Sequence, residues 1–538
     1  MTLVCTYTPS RRGLNRRNGK RAERSATHGN SPATETTSPA TPTSFTDDSL
    51  ARLRRMPNMQ QEAGAYDNHT HTLPASSVVA TAPWSLRSSD RSRLLDLFYT
   101  HFFRAHPFLV PKAFYPAQKY PRYLDLTVCL VGLQYAKPAL EDAAALRDAV
   151  SLAMAESDER AVHRVQALTL YAIVLHSSQR PREAASCVGR AANIAISLGM
   201  NDPGFASTFA RESPVLEESL RRSWWELFIV DVYTAAIHRH PAFQTSTASL
   251  QPLLPCAHTL YEAGRCEQNP PTLRNLDDRV FLADSHAAFS SSCFRVEAVR
   301  LIGRVSALAA ADDTDPDNIQ ALDNALASWE YNLPPSSKDV VSASGEVDLM
   351  LFEARSIISC AVIFLHFPRS DLPATVPTAS DIHCMRNHTQ QPPISRQHSI
   401  KAIAASKNIA NLASVPWPLE KHSPFFICAL VLGCVVQLAA GSMHLHQCGL
   451  DCLQQHRDRV VLMLGALQRL GEMWPLAANA VRPLKTIAGI VLSARNEEVP
   501  SEPCSFQDSA IDPNESFNDM LWFDLFSAED MQNNMLAM

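Results

Sequence analysis

Glycine is scarce in this chain, at 17 of 538 residues, and charged side chains make up only 19%. Few glycines disfavour phosphate-cradling loops, while 36 prolines suggest helices separated by Pro-punctuated connections. The motifs that carry common chemistry are missing too: there is no GxSxG elbow, GxxxxGKS/T loop, HExxH pair or GxGxxG fingerprint. An enzyme reading therefore has no residues to rest on. No apolar segment stands between Met1 and the run Arg11, Arg12, Arg16 and Arg17, so no secretory signal opens the sequence. Without export, the 13 cysteines are expected to stay reduced, with no disulfide scaffold. Cys187, Cys293, Cys360 and Cys428 sit in apolar helical patterns and read as small buried hydrophobes.

A long membrane-crossing run is also lacking. The uncharged stretch at residues 425–440 stops short of the roughly 20 residues a spanning helix needs. It lacks flanking Lys/Arg asymmetry as well, so it reads as a central buried helix and not as a membrane contact. Alternating period-two patterns are hard to find, which leaves an all-α fold.

The net charge of −6, from 48 Lys plus Arg against 54 Asp plus Glu, is unremarkable in sum but uneven along the chain. Residues 1–24 form a basic arm carrying Arg11, Arg12, Arg16, Arg17, Lys20 and Arg21. Residues 25–89 are rich in Ser, Thr, Pro and Ala near their start and read as a disordered linker. An all-helical domain is expected over residues 90–495, with a disordered insertion at about 373–398 rich in Pro, Thr, Gln and His.

Within that domain, Val162, Val165, Leu168, Tyr171, Ala172 and Leu175 form an amphipathic stripe. A second helix starts at Pro181 and stops at Gly199, completing an αα-hairpin. Ser213 is a predicted cap for a third, with Pro214 at its first position and Glu217 and Glu218 near the positive end of the dipole. Its apolar residues include Leu220, Trp224 and Phe228, with Arg221 and Arg222 expected towards solvent. Further helices are predicted at residues 284–310, 318–329, 347–366, 401–413, 425–444 and 456–473.

Residues 496–538 reverse the charge of the arm. No Lys or Arg follows Arg495, while acids alternate with Phe517, Leu521, Trp522, Phe523, Leu525 and Phe526. Mutually repelling acids that hold aromatics in water match an activation segment. On a helix, Phe517, Leu521 and Leu525 would share one apolar face suited to a partner's groove.

Metal sites are weak candidates. His444, Cys448, Cys452 and His456 lie four residues apart, but each such step climbs about 6 Å along a helix, so they cannot surround one tetrahedral ion. His383, Cys384 and His388 fall in the insertion, and His69 and His71 have no nearby cysteine.

Two separated segments converge on one family. The helix running from Glu217 through Arg221-Arg222-Ser223-Trp224-Trp225-Glu226 to Asp231 resembles the signature helix of the fungal-specific transcription factor domain, the middle homology region of zinc-cluster regulators. The stretch ending His106-Pro107-Phe108-Leu109-Val110-Pro111, residues 189–200, Leu253-Leu254-Pro255-Cys256 and Ile363-Phe364-Leu365-His366-Phe367-Pro368-Arg369 are similar to that domain as well. Trp224 and Trp225 read as core anchors, with Glu226 and Asp231 pairing to neighbours such as Arg221 or Arg222.

At the N-terminus, Cys5-Thr6-Tyr7-Thr8-Pro9-Ser10-Arg11-Arg12-Gly13 resembles the end of a fungal binuclear zinc cluster, its last cysteine and its basic exit. Six cysteines hold two zinc ions in that family, and the next cysteine here is Cys129. No cofactor is therefore expected in this chain, and zinc only with a longer N-terminus. Without the cluster, the basic arm would neutralise DNA phosphates without reading sequence, or serve as a nuclear localisation signal.

The resemblance implies a nuclear transcription factor for RNA polymerase II genes, with a secondary-metabolite gene cluster as one target class. It implies DNA and the transcription machinery as partners. The alternative is a truncated helical co-regulator or inhibitor that titrates partners without specific DNA binding. Homodimerisation stays open, because no sustained heptad pattern follows the arm.

Overall fold

Proline and short polar side chains set where the helices of this protein begin. The computed structural model describes residues 86–137, 143–156, 161–240, 242–266, 269–280, 289–311, 313–373, 394–444 and 450–493. All of them fall in one compact unit. The basic arm, most of the linker, the greater part of the insertion and the acidic tail lie outside the described residues, as do Cys5 and the tail aromatics. Among the described residues the only β feature is an isolated bridge between Val341 and Val347. The all-α expectation is met.

The helices are α1 (Ser88–Leu97), α2 (Tyr115–Gln118), α3 (Arg122–Leu133), α4 (Ala143–Glu156), α5 (Val162–Ser177), α6 (Pro181–Ser197), α7 (Phe205–Ala210), α8 (Pro214–His238) and α9 (His258–Glu262). They continue as α10 (Leu273–Asp278), α11 (Ser291–Ala310), α12 (Pro316–Tyr331), α13 (Leu349–His366), α14 (Arg396–Ala413), α15 (Phe426–His444), α16 (Leu450–Gly471) and α17 (Pro475–Ser493). Four of the starts follow the same rule, Thr272 accepting from Asn275 N ahead of α10 being one. Ser213 accepts a hydrogen bond from Leu216 N ahead of α8, Asp315 from Asp317 N ahead of α12, and Asp348 from Leu351 N ahead of α13. The stop of α6 is equally local. Gly199 takes a φ of +74°, and Met200 N reaches back to Ala195 O at 3.0 Å.

Packing is pairwise between chain neighbours, with α8 threaded through the middle. Helices α5 and α6 form the expected hairpin, and α11 lies along α13. A second stack runs α13, α14, α15, α16 and α17, and α17 returns to touch α5. Helix α8, 25 residues and about 37 Å long, touches α5, α6, α7 and α11 and is buried along nearly its whole length. The uncharged run at 425–440 is α15, a core helix and not a lipid-facing one. Both α13 and α15 are long and apolar enough to cross a membrane by composition, and 89% of each such window is buried inside the fold. The one amide of α15, Gln437, donates to Ser406 Oγ on α14 (2.6 Å) and accepts from His456 Nδ1 on α16 (2.6 Å).

Several boundaries differ from the sequence expectation. Helix α11 begins at Ser291 and not at 284, because the Ser290 hydroxyl donates to Pro255 O at 2.8 Å and fixes an extended residue there. The insertion ends earlier than residue 398, since α14 starts at Arg396 and its buried Ser399 bonds to Asp371. Helix α1 starts at Ser88, inside the expected linker. Helix α17 lies beyond the last predicted helix at 456–473 but within the helical domain expected to 495, and it carries Pro483 in its interior.

Gly132 on α3 and Gly465 on α16 give opposite tests of this packing. A Cβ on Gly132 would stand 2.0 Å from Leu94 O, where α3 crosses α1, whereas one on Gly465 meets nothing within 4 Å. Gly132→Ala is expected to lower stability by about 1–3 kcal/mol through overpacking. Gly465→Ala is expected to raise it by about 0.5–1 kcal/mol through helix propensity. Denaturant unfolding of both variants checks the pair.

Candidate functional site

Charged side chains on α8 point inwards and bind segments far away in sequence. Arg221 and Arg222 do not face solvent as expected; both are buried. The cause is Glu218, one turn earlier and fully buried, which pairs with Arg221 Nη1 and accepts from Arg222 Nε at 2.7 Å. Arg221 also binds Glu217 Oε1 at 2.7 Å. Arg222 then donates to Cys256 O at 2.6 Å and lies over the Tyr261 ring at 4.4 Å. The Cys256 amide donates to Glu218 Oε1 at 2.9 Å, so Glu218 holds the N–H and Arg222 the carbonyl of the same residue. Burial works most strongly against the Arg222 charge, but Glu218, helped by Cys256 and Tyr261, overcomes it and raises the guanidinium above its ordinary value.

Trp224 and Trp225 are core anchors, as the sequence suggested. Trp225 Nε1 donates to Leu253 O at 2.9 Å and thereby also fastens the 253–256 strip. Ser219 Oγ donates to Phe108 O at 2.7 Å, and Tyr261 Oη to Leu109 O at 2.8 Å. Two of the segments that resemble the family's motifs, the one ending at Pro111 and the 253–256 strip, therefore converge on α8.

Glu226 and Asp231 do not pair with Arg221 or Arg222, because Glu218 already engages those arginines. Asp231 Oδ2 instead accepts from Thr245 N (2.6 Å) and Thr245 Oγ1 (2.8 Å), with burial still pushing its carboxyl up. Glu226 takes both Nη atoms of Arg295 on α11, at 2.7 and 3.1 Å, and His106 Nδ1 at 2.7 Å. Burial alone would raise the Glu226 carboxyl, but Arg295 and His106 overcome it and hold it at about 2. An ionised carboxylate only accepts, so His106 carries its proton on Nδ1 and accepts from Ser423 Oγ at Nε2, 3.0 Å away. Burial keeps this imidazole below its usual value.

Arg295 also faces a second carboxylate. Its Nε stands 2.6 Å from Glu353 Oε2 on α13, yet that contact lacks hydrogen-bond geometry, and Glu353 Oε1 has no hydrogen-bond partner. Burial therefore prevails over Arg295, with Glu226 adding repulsion, and Glu353 is pushed up to about 8. Glu353 borders a cavity of about 20 Å³ with Arg295, Tyr233, Ser356 and Ser423, a volume sufficient for one water.

A second cavity lies apart from this network. A cleft of about 560 Å³ opens between α12, α13 and α14, floored by Leu326, Trp329, Ile358 and Val362. The pairs Lys401–Asp323 and Arg355–Glu330 lie at its sides, the latter at 2.8 Å. Its volume is in the range of small-molecule sites.

Sequence reasoning passed over His106, Glu218, Arg295 and Glu353 as site residues. The signal was present for Glu353, the single acid in the largely apolar helix α13. Among the described residues no group of three or more His, Cys, Asp or Glu is placed to hold a metal. His456 is taken up by Gln437; Cys448 and the 383–388 group lie outside the described residues. The residues present do not fit a binuclear zinc cluster either. The next cysteine after Cys5 is Cys129, 124 residues on and buried in α3.

The fold and site define an all-helical domain built around one buried Trp-Trp helix whose charges fasten distant segments. Residues 94–300 match the family described as the fungal specific transcription factor domain, which bears out the resemblance read from the sequence. The chain is also similar to the C6 finger domain transcription factor iacK of Pestalotiopsis fici, with 29% identity over 400 residues. That alignment covers 74% of this chain and 59% of the relative, so the chain spans less than two thirds of that protein's length. No solved structure matches the chain.

The network makes two predictions. Arg295→Met strands Glu226 and Glu353 in the core and is expected to cost about 3–5 kcal/mol near neutral pH. Chemical denaturation, with Arg295→Lys as comparison, measures it. Glu353 binds a proton on folding between its ordinary 4.5 and about 8. Its contribution is fully present below 4.5 and is lost as pH rises through about 8. Glu353→Gln is therefore expected to flatten the fall in stability over that window, as read from unfolding midpoints against pH.

Proposed function

We propose that this protein is a nuclear transcription regulator of fungal type, acting on RNA polymerase II genes. The observation that carries the reading is the family match over residues 94–300, a segment that contains α8, whose charges and tryptophans fasten distant segments. Its similarity to a C6 finger domain transcription factor supports the same reading. Control of a secondary-metabolite gene cluster is the finer reading we attach to it. On this view the chain works through binding and not through catalysis.

Three parts divide the work. The basic arm with Arg11, Arg12, Arg16, Arg17, Lys20 and Arg21 directs nuclear entry and touches DNA phosphates in a salt-sensitive, sequence-independent way. The helical domain regulates. The tail, through Phe517, Leu521, Trp522, Phe523, Leu525 and Phe526, recruits the transcription machinery by an acid-flanked apolar face. The rival reading is a helical co-regulator that titrates partners without reading DNA.

A reporter assay separates the two. With the full chain tethered to a heterologous DNA-binding module, deleting residues 502–538 is expected to abolish activation. Unchanged reporter output would overturn the activator reading and favour the titrating one. Sequencing the transcript upstream of the Met1 codon addresses DNA reading: an in-frame run of five more cluster cysteines makes Cys5 the sixth ligand, and an in-frame stop removes sequence-specific binding from this chain.

A further inference from the structure

The cleft between α12, α13 and α14 lies wholly beyond residue 300, outside the segment that the family match covers. One stripe of each helix lines it: Asp323 to Glu330 on α12, Arg355 to Val362 on α13 and Lys401 to Asn408 on α14. Each stripe spans seven residues, about 10 Å of helix. Bonds across the gap close both ends. At one end Asp323 pairs with Lys401 Nζ and lies 3.0 Å from His366 Nε2, whose other ring nitrogen meets His398 Nδ1 at 2.7 Å. At the other, Arg355 Nη1 donates to Glu330 Oε1 at 2.8 Å, and Nη2 donates to Lys338 O. Trp329 Nε1 donates to Phe294 O on α11 at 3.3 Å, which fixes the ring that forms part of the floor. The cavity is thus held open by its own walls.

The lining selects an occupant. Three cations, Lys338, Arg355 and Lys401, stand against three carboxylates, Asp323, Glu330 and Asp339, so the cleft carries no net charge. A carboxylate placed at the Arg355 end would meet Glu330 and Asp339, and an ammonium at the other end would meet Lys401. Donors remain at the Arg355 end all the same. Arg355 Nε is buried there without an acceptor, and Asn408 is exposed on the facing wall. Between the ends lies only the apolar floor of Leu326, Trp329, Ile358 and Val362.

We propose that this cleft binds a neutral, flat, largely apolar small molecule, about as long as the 10 Å stripes, with an uncharged oxygen directed to Arg355 and Asn408. Its body covers the floor and removes apolar surface from water. The guanidinium and the Asn408 amide donate to its oxygen, so a ketone, ester or phenol fits where a carboxylate does not. This inference does not depend on the reading of the chain as a transcription regulator.

The test titrates the full chain into prodan, a neutral naphthalene dye with a ketone at one end and a dimethylamino group at the other. The expected result is a saturable one-site blue shift of its emission. Ala404→Trp, an exposed position on the lip, fills the cleft and is expected to weaken binding by at least about tenfold with the unfolding midpoint unchanged. Ala327→Trp does the same from the α12 side. Asn408→Ala is expected to weaken binding about threefold to tenfold, the worth of one hydrogen bond. No saturable shift overturns the proposal, and so does wild-type affinity in both tryptophan variants, which places the dye elsewhere. Tighter binding of the anionic dye 1-anilinonaphthalene-8-sulfonate, displacing prodan and lost in the same variants, overturns the neutral class.

Discussion

A carboxylate kept ionised in a dry core is the constraint on which this fold turns. Glu226 has no access to water, and its charge is stable only because Arg295 and His106 reach it from α11 and from the segment before α2. Removing such groups from water costs several kcal/mol per ion, which is recovered only when all the partners arrive together. Ser423 completes the set through His106, and Glu353 through Arg295. Pieces more than three hundred residues apart are thus conditional on one another. The same logic recurs about two turns earlier on α8, where Glu218 ties Arg221, Arg222 and the Cys256 amide. Two buried carboxylates, eight residues apart, convert one helix into the member that locates the others.

What could be read from the sequence and what could not divide along a physical line. Local rules worked: Ser213 caps α8, Pro214 fits its first turn, and Gly199 ends α6 in the left-handed region. Patterns of apolar residues also identified the hairpin of α5 and α6 and the buried character of α15. Partner choice did not follow. On helix spacing alone Arg222 has a carboxylate four residues away on either side, Glu218 and Glu226, and the sequence cannot say which one another helix has claimed. Arg295 decides that question from 69 residues downstream. Helix α17, with Pro483 inside it, follows the last helix the apolar periods marked out, and packing against α15 and α16 holds it.

The family match ends at residue 300, but the structural dependencies do not. Glu353, Ser423 and Phe425 complete the surroundings of Glu226 and Arg295 from outside that segment. The first part of the domain therefore presents an unfinished polar centre unless the later helices close over it. A boundary drawn from sequence similarity and one drawn from electrostatic completeness fall in different places in this chain.

Gln437 has a consequence of another kind. Helix α15 is nearly featureless: small and branched apolar residues surround it, and a slide by one turn would present much the same surface to its neighbours. Gln437 breaks that degeneracy, with its amide nitrogen on Ser406 and its amide oxygen on His456. A shifted helix would leave three polar groups facing hydrocarbon, so the wrong alignments are penalised more than the right one is favoured. One amide thus acts as a key that indexes three helices to a single alignment, and the greasiest part of the protein owes its uniqueness to its one hydrophilic notch.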